Sequence, residues 1–111
     1  MRGQDLLDRN CFRIVNDTGN VEKEITQPFC CDLLSIAMGK APAGAAWVTV
    51  MGNVNTIAVA TLTDVAVVIL AEGVSLDEAG LLRAREHGVI VLATEEAIFV
   101  AADRIRRFLS E

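Results

Sequence analysis

The sequence predicts an α/β fold: a small, mostly parallel sheet with right-handed βαβ crossovers and an irregular N-terminal strand layer. Two observations carry this prediction. Residues 65–70 form an unbroken apolar run rich in β-branched side chains, which is typical of a strand covered on both faces. From Trp47 onward, short apolar strands alternate with helical segments, an order that favours parallel strands joined by crossover helices.

The composition of the 111-residue chain indicates a single globular domain, residues 1–111. Hydrophobic residues make up 52% and charged residues 23% of the chain, which excludes intrinsic disorder. The net charge of −5 argues against a protein that binds nucleic acid through bulk electrostatics. The first residues lack the apolar core of a signal peptide, and no apolar run is long enough to cross a membrane. We therefore expect a cytoplasmic protein.

The first third of the chain predicts short, irregular elements. Residues 5–9 indicate one helical turn, and Cys11–Val15 reads as a strand with Phe12 and Ile14 facing inward. A cluster of turn-forming residues follows, and a second extended stretch runs over about residues 24–31. These segments are the predicted N-terminal strand layer.

A short helix is predicted after the second extended stretch. Asp32 is placed to cap it, Leu33 begins it and Gly39 ends it. Leu33, Ile36 and Ala37 share one face of this helix. A glycine- and alanine-rich loop then leads to the clearer alternation of strands and helices.

The remaining elements are predicted from apolar runs and helix-capping signals. A capping box of Ser75 and Glu78 opens a helix that ends at Gly88, and Thr94 caps the last helix. The last helix has Glu95 and Glu96 in its first turn. The other predicted elements are strands over Trp47–Met51, Val65–Leu70 and Val89–Leu92, and a short helix over Thr56–Leu62.

A parallel sheet of this kind brings its strand-to-helix loops together at one edge. These loops are residues 51–55, 71–75 and 93–95. Ligands of open α/β sheets bind in the crevice outside these strand ends. The topology therefore predicts that the functional site lies at this edge, here called the rim.

The loop Gly52–Thr56 is the leading candidate within the rim. Gly52 permits close approach of a ligand to the backbone, and Asn53 and Asn55 offer amide donors and acceptors. The amide groups at the start of the following helix, which include that of Thr56, favour an anion. The alternative is that Asn55 only caps the helix and Asn53 only forms the turn.

Cys31 and Asp32 form a second candidate, and Thr94 supplies the opposite wall of the crevice. Of two adjacent strand residues, Cys30 and Cys31, one faces the core and the other can face the crevice. A helix beginning immediately afterwards would lower the pKa of a nearby thiol. The alternative is a small apolar side chain next to a capping Asp.

Catalytic and cofactor motifs are absent from the sequence. Lys40 follows Gly39 but precedes Ala41, so no phosphate-binding loop of the Walker type is present. Three cysteines and one distant histidine, His87, make a poor metal set, so we expect no metal and no cofactor. No nucleophile is paired with a base, which argues against an enzyme, although thiol chemistry at Cys30 or Cys31 remains an alternative.

Several segments resemble the small stand-alone DRTGG-domain proteins of anaerobic bacteria. The resemblance covers about residues 5–108, and residues 17–20 (DTGN) only echo the motif that names the family. It places the glycine-rich ligand loop at residues 52–55. The segments that carry it are Cys30–Ser35, Trp47–Val50, Asn55, Val67–Gly73 with Asp77 and Glu78, and Gly88–Leu92.

The resemblance implies a regulatory role. DRTGG domains accompany phosphotransacetylase and pyrophosphatase catalytic domains and are similar to the N-terminal domain of HPr kinase/phosphorylase, whose catalytic half has no counterpart here. We therefore expect a non-enzymatic domain that binds a small anion, a nucleotide or phosphorylated metabolite, at the rim. The family's tendency to self-associate implies a homodimer, and a ligand-free docking module for an anaerobic redox enzyme is the alternative. No nucleic-acid or membrane partner is expected.

Overall fold

The computed structural model describes residues 1–111 and contains five helices and one five-stranded sheet, so the predicted α/β fold is confirmed. The strands are β1 (Arg13–Asn16), β2 (Pro28–Cys30), β3 (Ala46–Thr49), β4 (Val67–Leu70) and β5 (Val91–Ala93). The helices are α1 (Gly3–Asp8), α2 (Leu34–Lys40), α3 (Val54–Thr63), α4 (Glu78–His87) and α5 (Ile98–Leu109).

The strand order is β1-β5-β4-β3-β2, with β2 to β5 parallel and β1 antiparallel to β5. The two N-terminal strands therefore belong to the same sheet and form its opposite edges. The irregular N-terminal strands that the sequence predicts are thus the two edge strands of this sheet. Pairing at the edges satisfies backbone groups of β5 and β3 that would otherwise lie open.

Helices cover both faces of the sheet. Helices α2, α3 and α4 pack on one face through Ala37, Ile57 and Ala84, together with the buried indole of Trp47. Helices α1 and α5 cover the other face, with Ile105 at the centre of the packing. Every residue of β3, β4 and β5 is buried, as the unbroken apolar runs predict.

Strand β1 differs from its predicted orientation. Phe12 is buried as expected, but Ile14 is 48% exposed. Helix α5 packs over β2 and β3, at the far edge of the sheet, and leaves Ile14 uncovered. Asn16 instead anchors this edge, because its buried side-chain amide donates a 2.7 Å hydrogen bond to the carbonyl of Val89.

The start of α2 also differs from the prediction. Leu33 is the N-cap residue and makes no side-chain cap, so Asp32 does not cap this helix. Leu33 and Ile36 are 55% and 47% exposed, whereas Ala37 is fully buried. Asp32 does not reach the amides of α2 because its carboxylate accepts hydrogen bonds at the end of β3, as described below.

The predicted capping box of α4 is wrong, although the end of the helix is confirmed. Asp77, not Ser75, is the N-cap, and its carboxylate accepts a 2.6 Å hydrogen bond from the amide of Gly80. Because the helix begins at Glu78, Ser75 lies two residues too early to reach the first free amides. Gly88 ends the helix in the left-handed conformation with φ of 67°.

The last helix begins later than predicted. Its N-cap is Ala97, which has no side-chain cap, and Thr94 lies in the preceding loop. Glu95 and Glu96 therefore precede the first turn instead of occupying it. Glu96 is held there by Arg104, an interaction between loop and helix that spacing along the sequence does not encode.

Candidate functional site

The carboxyl ends of the parallel strands meet at one edge, where the loops after β3, β4 and β5 contact one another. The amide of Asp77 donates to the carbonyl of Gly52 over 3.0 Å. The amide of Gly73 donates to the carbonyl of Thr94 over 3.0 Å, and that of Glu72 to Glu96 over 2.9 Å. The predicted convergence of the loops on one rim is therefore confirmed.

Gly52 allows a close approach, but the group that approaches it is part of the protein. A Cβ atom at this position would overlap the carbonyl oxygen of Ser75 and crowd the Val74 side chain. The loop after β4 thus occupies the space that the sequence analysis left for a ligand beside Gly52. Its absent side chain serves the packing of two loops, a role that requires glycine for steric reasons.

The cap of α3 is Asn53 and not Asn55, the residue to which the alternative interpretation gave this role. Asn53 is the N-cap of α3, and its side-chain oxygen accepts hydrogen bonds from the amides of Asn55 (2.9 Å) and Thr56 (3.2 Å). Helix α3 consequently begins at Val54, two residues earlier than predicted. The Asn55 side chain is exposed and makes no hydrogen bond within the chain, so it is available to a ligand.

The turn into α3 leaves several donors without partners. The backbone amides of three consecutive residues, Gly52, Asn53 and Val54, make no hydrogen bond within the chain. The hydroxyl of Thr56 is fully buried and is the one buried side-chain polar atom without a partner. Side chains lean toward the N-terminus of their helix, so this hydroxyl belongs to the same end of α3. Such donors at a helix N-terminus suit an oxyanion.

Asp32 joins β2 to β3 at the rim. Its carboxylate oxygen Oδ1 accepts a 2.7 Å hydrogen bond from the buried Thr49 hydroxyl and a 3.0 Å bond from the Val50 amide. The oxygen of Thr49 in turn accepts from the amide of Met51. Asp32 therefore fixes the strand end that leads into Gly52, a structural role close to the candidate site.

The neighbouring cysteines are held in different ways. The half-buried Cys31 packs against the core, its thiol donates to the Leu33 carbonyl, and its carbonyl accepts from the Trp47 indole over 3.0 Å. Although Cys30 reaches solvent, desolvation by the surrounding protein and the nearby Asp32 carboxylate raise the pKa of its thiol. This shift is opposite to the expected effect of a helix start and counts against a thiolate nucleophile at Cys30.

Thr94 lies on the opposite side of the rim from Gly52. Its hydroxyl accepts a 3.1 Å hydrogen bond from the amide of Glu96. The Glu96 carboxylate receives two hydrogen bonds, of 2.7 and 2.6 Å, from Arg104, and these bonds lower the pKa of its carboxyl. The Thr94 hydroxyl thus stabilises its own loop. The loop after β4 lies between Thr94 and Gly52.

Two features of the molecule could not be predicted from its sequence. The first is the free backbone amide of Val54. It is free because Asn53 caps α3, and the sequence does not show which of the two asparagines is the cap. A groove between α3 and α4 that contains Arg83 and His87 was also missed, since no motif marks it. His87 is exposed.

Metal-binding geometry is absent: no group of three or more His, Cys, Asp or Glu side chains is close enough to hold an ion. None of the helices combines the length and apolar character needed to span a bilayer. No family model matches the sequence, and a comparison with curated proteins also finds no match.

Proposed function

We propose that this chain is a non-enzymatic regulatory domain that binds a small anion, such as a nucleotide or a phosphorylated metabolite, at the N-terminus of α3. The observation that carries the proposal is the set of unpaired donors there: the amides of Gly52, Asn53 and Val54 and the buried hydroxyl of Thr56. The resemblance to DRTGG domains supports the same role.

The position of the Asn53 side chain supports an oxygen-bearing ligand. Its carboxamide oxygen already accepts from the amides of Asn55 and Thr56, which is where an oxygen of an anion at this helix end would bind. A ligand that displaces this cap would gain both amides. The exposed Asn55 side chain would supply a further hydrogen bond.

Thermal shift measurements with inorganic phosphate, nucleotides and acyl phosphates test the proposal. A ligand that binds only the folded protein raises its melting temperature, and the rise grows with the logarithm of the ligand concentration above the dissociation constant. We expect such a rise in the wild type and its loss in Asn55→Ala and in Thr56→Val. Thr63→Val is the matched control, because it changes the same chemical group at the opposite end of the same helix.

The proposal fails if no compound in this set raises the melting temperature. It also fails if Thr56→Val and Asn55→Ala respond to the ligand as strongly as Thr63→Val does. A ligand that acts equally on all three variants would bind elsewhere on the molecule.

Self-association or docking is a second candidate function, favoured by one further observation. Between Ile25 and Thr63 the only charged residues are Asp32 and Lys40, and helix α2 in this segment exposes Ile36. Interface cores are depleted in charge relative to other surfaces. We propose that the exposed side of α2, which carries Ile36, forms a homodimer contact or receives a redox-enzyme partner.

Light scattering coupled to size-exclusion chromatography tests the second candidate. A dimer mass in the wild type that falls to a monomer mass in Ile36→Lys would support it. Leu82→Lys is the control, since Leu82 is a similarly exposed apolar residue on α4, outside residues 25–63. A monomer mass at all concentrations, with no partner retained in a pull-down, would contradict it.

A further inference from the structure

A groove of about 200 Å³ runs between α3 and α4, on the face of the sheet that α2, α3 and α4 cover. Helix α3 lines it with apolar side chains, among them Ile57, Ala58 and Leu62. Helix α4 contributes two nitrogen-bearing side chains, Arg83 and His87, and no acidic residue lines the groove. The groove therefore combines an apolar wall with a wall of N–H donors.

The donors of this groove have little internal competition. The nearest carboxylate oxygen to the Arg83 guanidinium is that of Glu86, at 4.0 Å, where both side chains are open to solvent. The imidazole of His87 makes no hydrogen bond within the chain and is exposed. An exposed ion pair of this length holds its partners weakly, so Arg83 is free to turn to a ligand.

We propose that this groove binds a small carboxylic acid with a short aliphatic or phenyl body. Its carboxylate would pair with Arg83 and accept from His87, and its hydrocarbon body would cover Ala58 and Ile57. The volume lies below the 300–1,000 Å³ typical of sites for drug-sized ligands, which limits the occupant to a short molecule. Inorganic phosphate would leave the apolar wall uncovered, and a neutral hydrocarbon would leave the guanidinium unmatched.

Heteronuclear NMR titration with hexanoate and benzoate tests the proposal. We expect saturable shifts at the amides of Ala58 and Thr61 and no shift at Gly73 on the rim. The neutral amides of the same two acids should bind about tenfold more weakly, because they lack the charge that pairs with arginine. Arg83→Gln should weaken hexanoate binding by about the same factor.

Two variants make the test specific to the groove. Arg85→Gln removes the same charge from the same helix outside the groove, so hexanoate should bind it as it binds the wild type. Ala58→Leu places a larger side chain at an exposed position of α3 that lines the groove, and it should block binding while the chain remains folded.

The proposal is overturned if hexanoate and benzoate produce no saturable shifts. It is equally overturned if the neutral amides bind as well as the acids, or if Arg83→Gln and Arg85→Gln have the same effect. Thr56→Val, which alters the proposed anion site on the rim, should retain hexanoate binding. Failure at one site is therefore distinguishable from failure at the other.

Discussion

The carboxylate of Asp32 and the hydroxyl of Thr49 are joined by a 2.7 Å hydrogen bond across two neighbouring strand ends. Thr49 is fully buried, so its hydroxyl has no access to water if this partner is lost. The same carboxylate oxygen also accepts from the Val50 amide. One exposed side chain thus satisfies two groups at the point where β3 turns toward α3.

Replacing Asp32 with Ala is expected to destabilise the protein by about 1–3 kcal/mol, because a buried hydroxyl and a backbone amide lose a charged acceptor. Urea denaturation followed by circular dichroism measures the change. Asp17→Ala is the control, since Asp17 is exposed and makes no hydrogen bond through its side chain. Equal stability of the two variants would show that the carboxylate contributes nothing to the fold.

Asp32 also shows where sequence reasoning reached its limit. An aspartate before an apolar helix is a common capping signal, and the sequence analysis interpreted it in that way. The actual partner, Thr49, is 17 residues away on the next strand. Capping rules describe contacts within one turn, and they carry no information on a partner that the sheet brings into reach.

Gly52→Ala is expected to destabilise the protein by about 2 kcal/mol or more, since the added methyl group meets the backbone of Ser75, which cannot rotate away. Gly39→Ala is the matched control. Gly39 lies within α2 with no atom near the added methyl group, so this change should stabilise the protein by about 0.5–1 kcal/mol. Thermal or urea denaturation separates the two effects by their sign.

The N-terminal caps of α4 provide a third prediction. Asp77→Ala should cost about 1 kcal/mol, because it removes the acceptor for the Gly80 amide. Ser75→Ala should change the stability by less than about 0.5 kcal/mol, since this exposed side chain caps nothing. Denaturation midpoints of the two variants decide between the observed cap and the capping box that the sequence predicts. A larger loss for Ser75→Ala would contradict the structure.

The overall architecture was predictable because unbroken apolar runs and helix-ending glycines mark its elements in the sequence. The β-branched run of β4 and the helix ending at Gly88 both lie close to their predicted places. The candidate site was less predictable. Whether Asn53 or Asn55 caps α3 depends on a difference of two residues in where the helix begins, and the hydrophobic pattern of α3 does not fix that boundary.

The thiol of Cys30 is expected to titrate above its ordinary pKa. Desolvation disfavours the thiolate, and the Asp32 carboxylate repels it, so both causes act in the same direction. The thiolate fraction, and with it the rate of alkylation, should therefore reach its maximum at a higher pH than in an unstructured peptide. Iodoacetamide labelling across a pH series, read at each cysteine by mass spectrometry, measures this. An inflection below that of the peptide would contradict the shift and restore thiol chemistry as a candidate.

Thr56→Val is expected to leave the stability unchanged or to raise it by up to about 1 kcal/mol. The hydroxyl of Thr56 is buried and lacks a partner, so replacing it with a methyl group of similar shape removes a desolvation cost. Thr63→Val should instead be destabilising, because the Thr63 hydroxyl donates a 2.7 Å bond to the carbonyl of Val59. Urea denaturation of the two variants gives the comparison. A loss of more than about 1 kcal/mol in Thr56→Val would mean that its hydroxyl is bonded in solution, and the donor would then be unavailable to an anion at the rim.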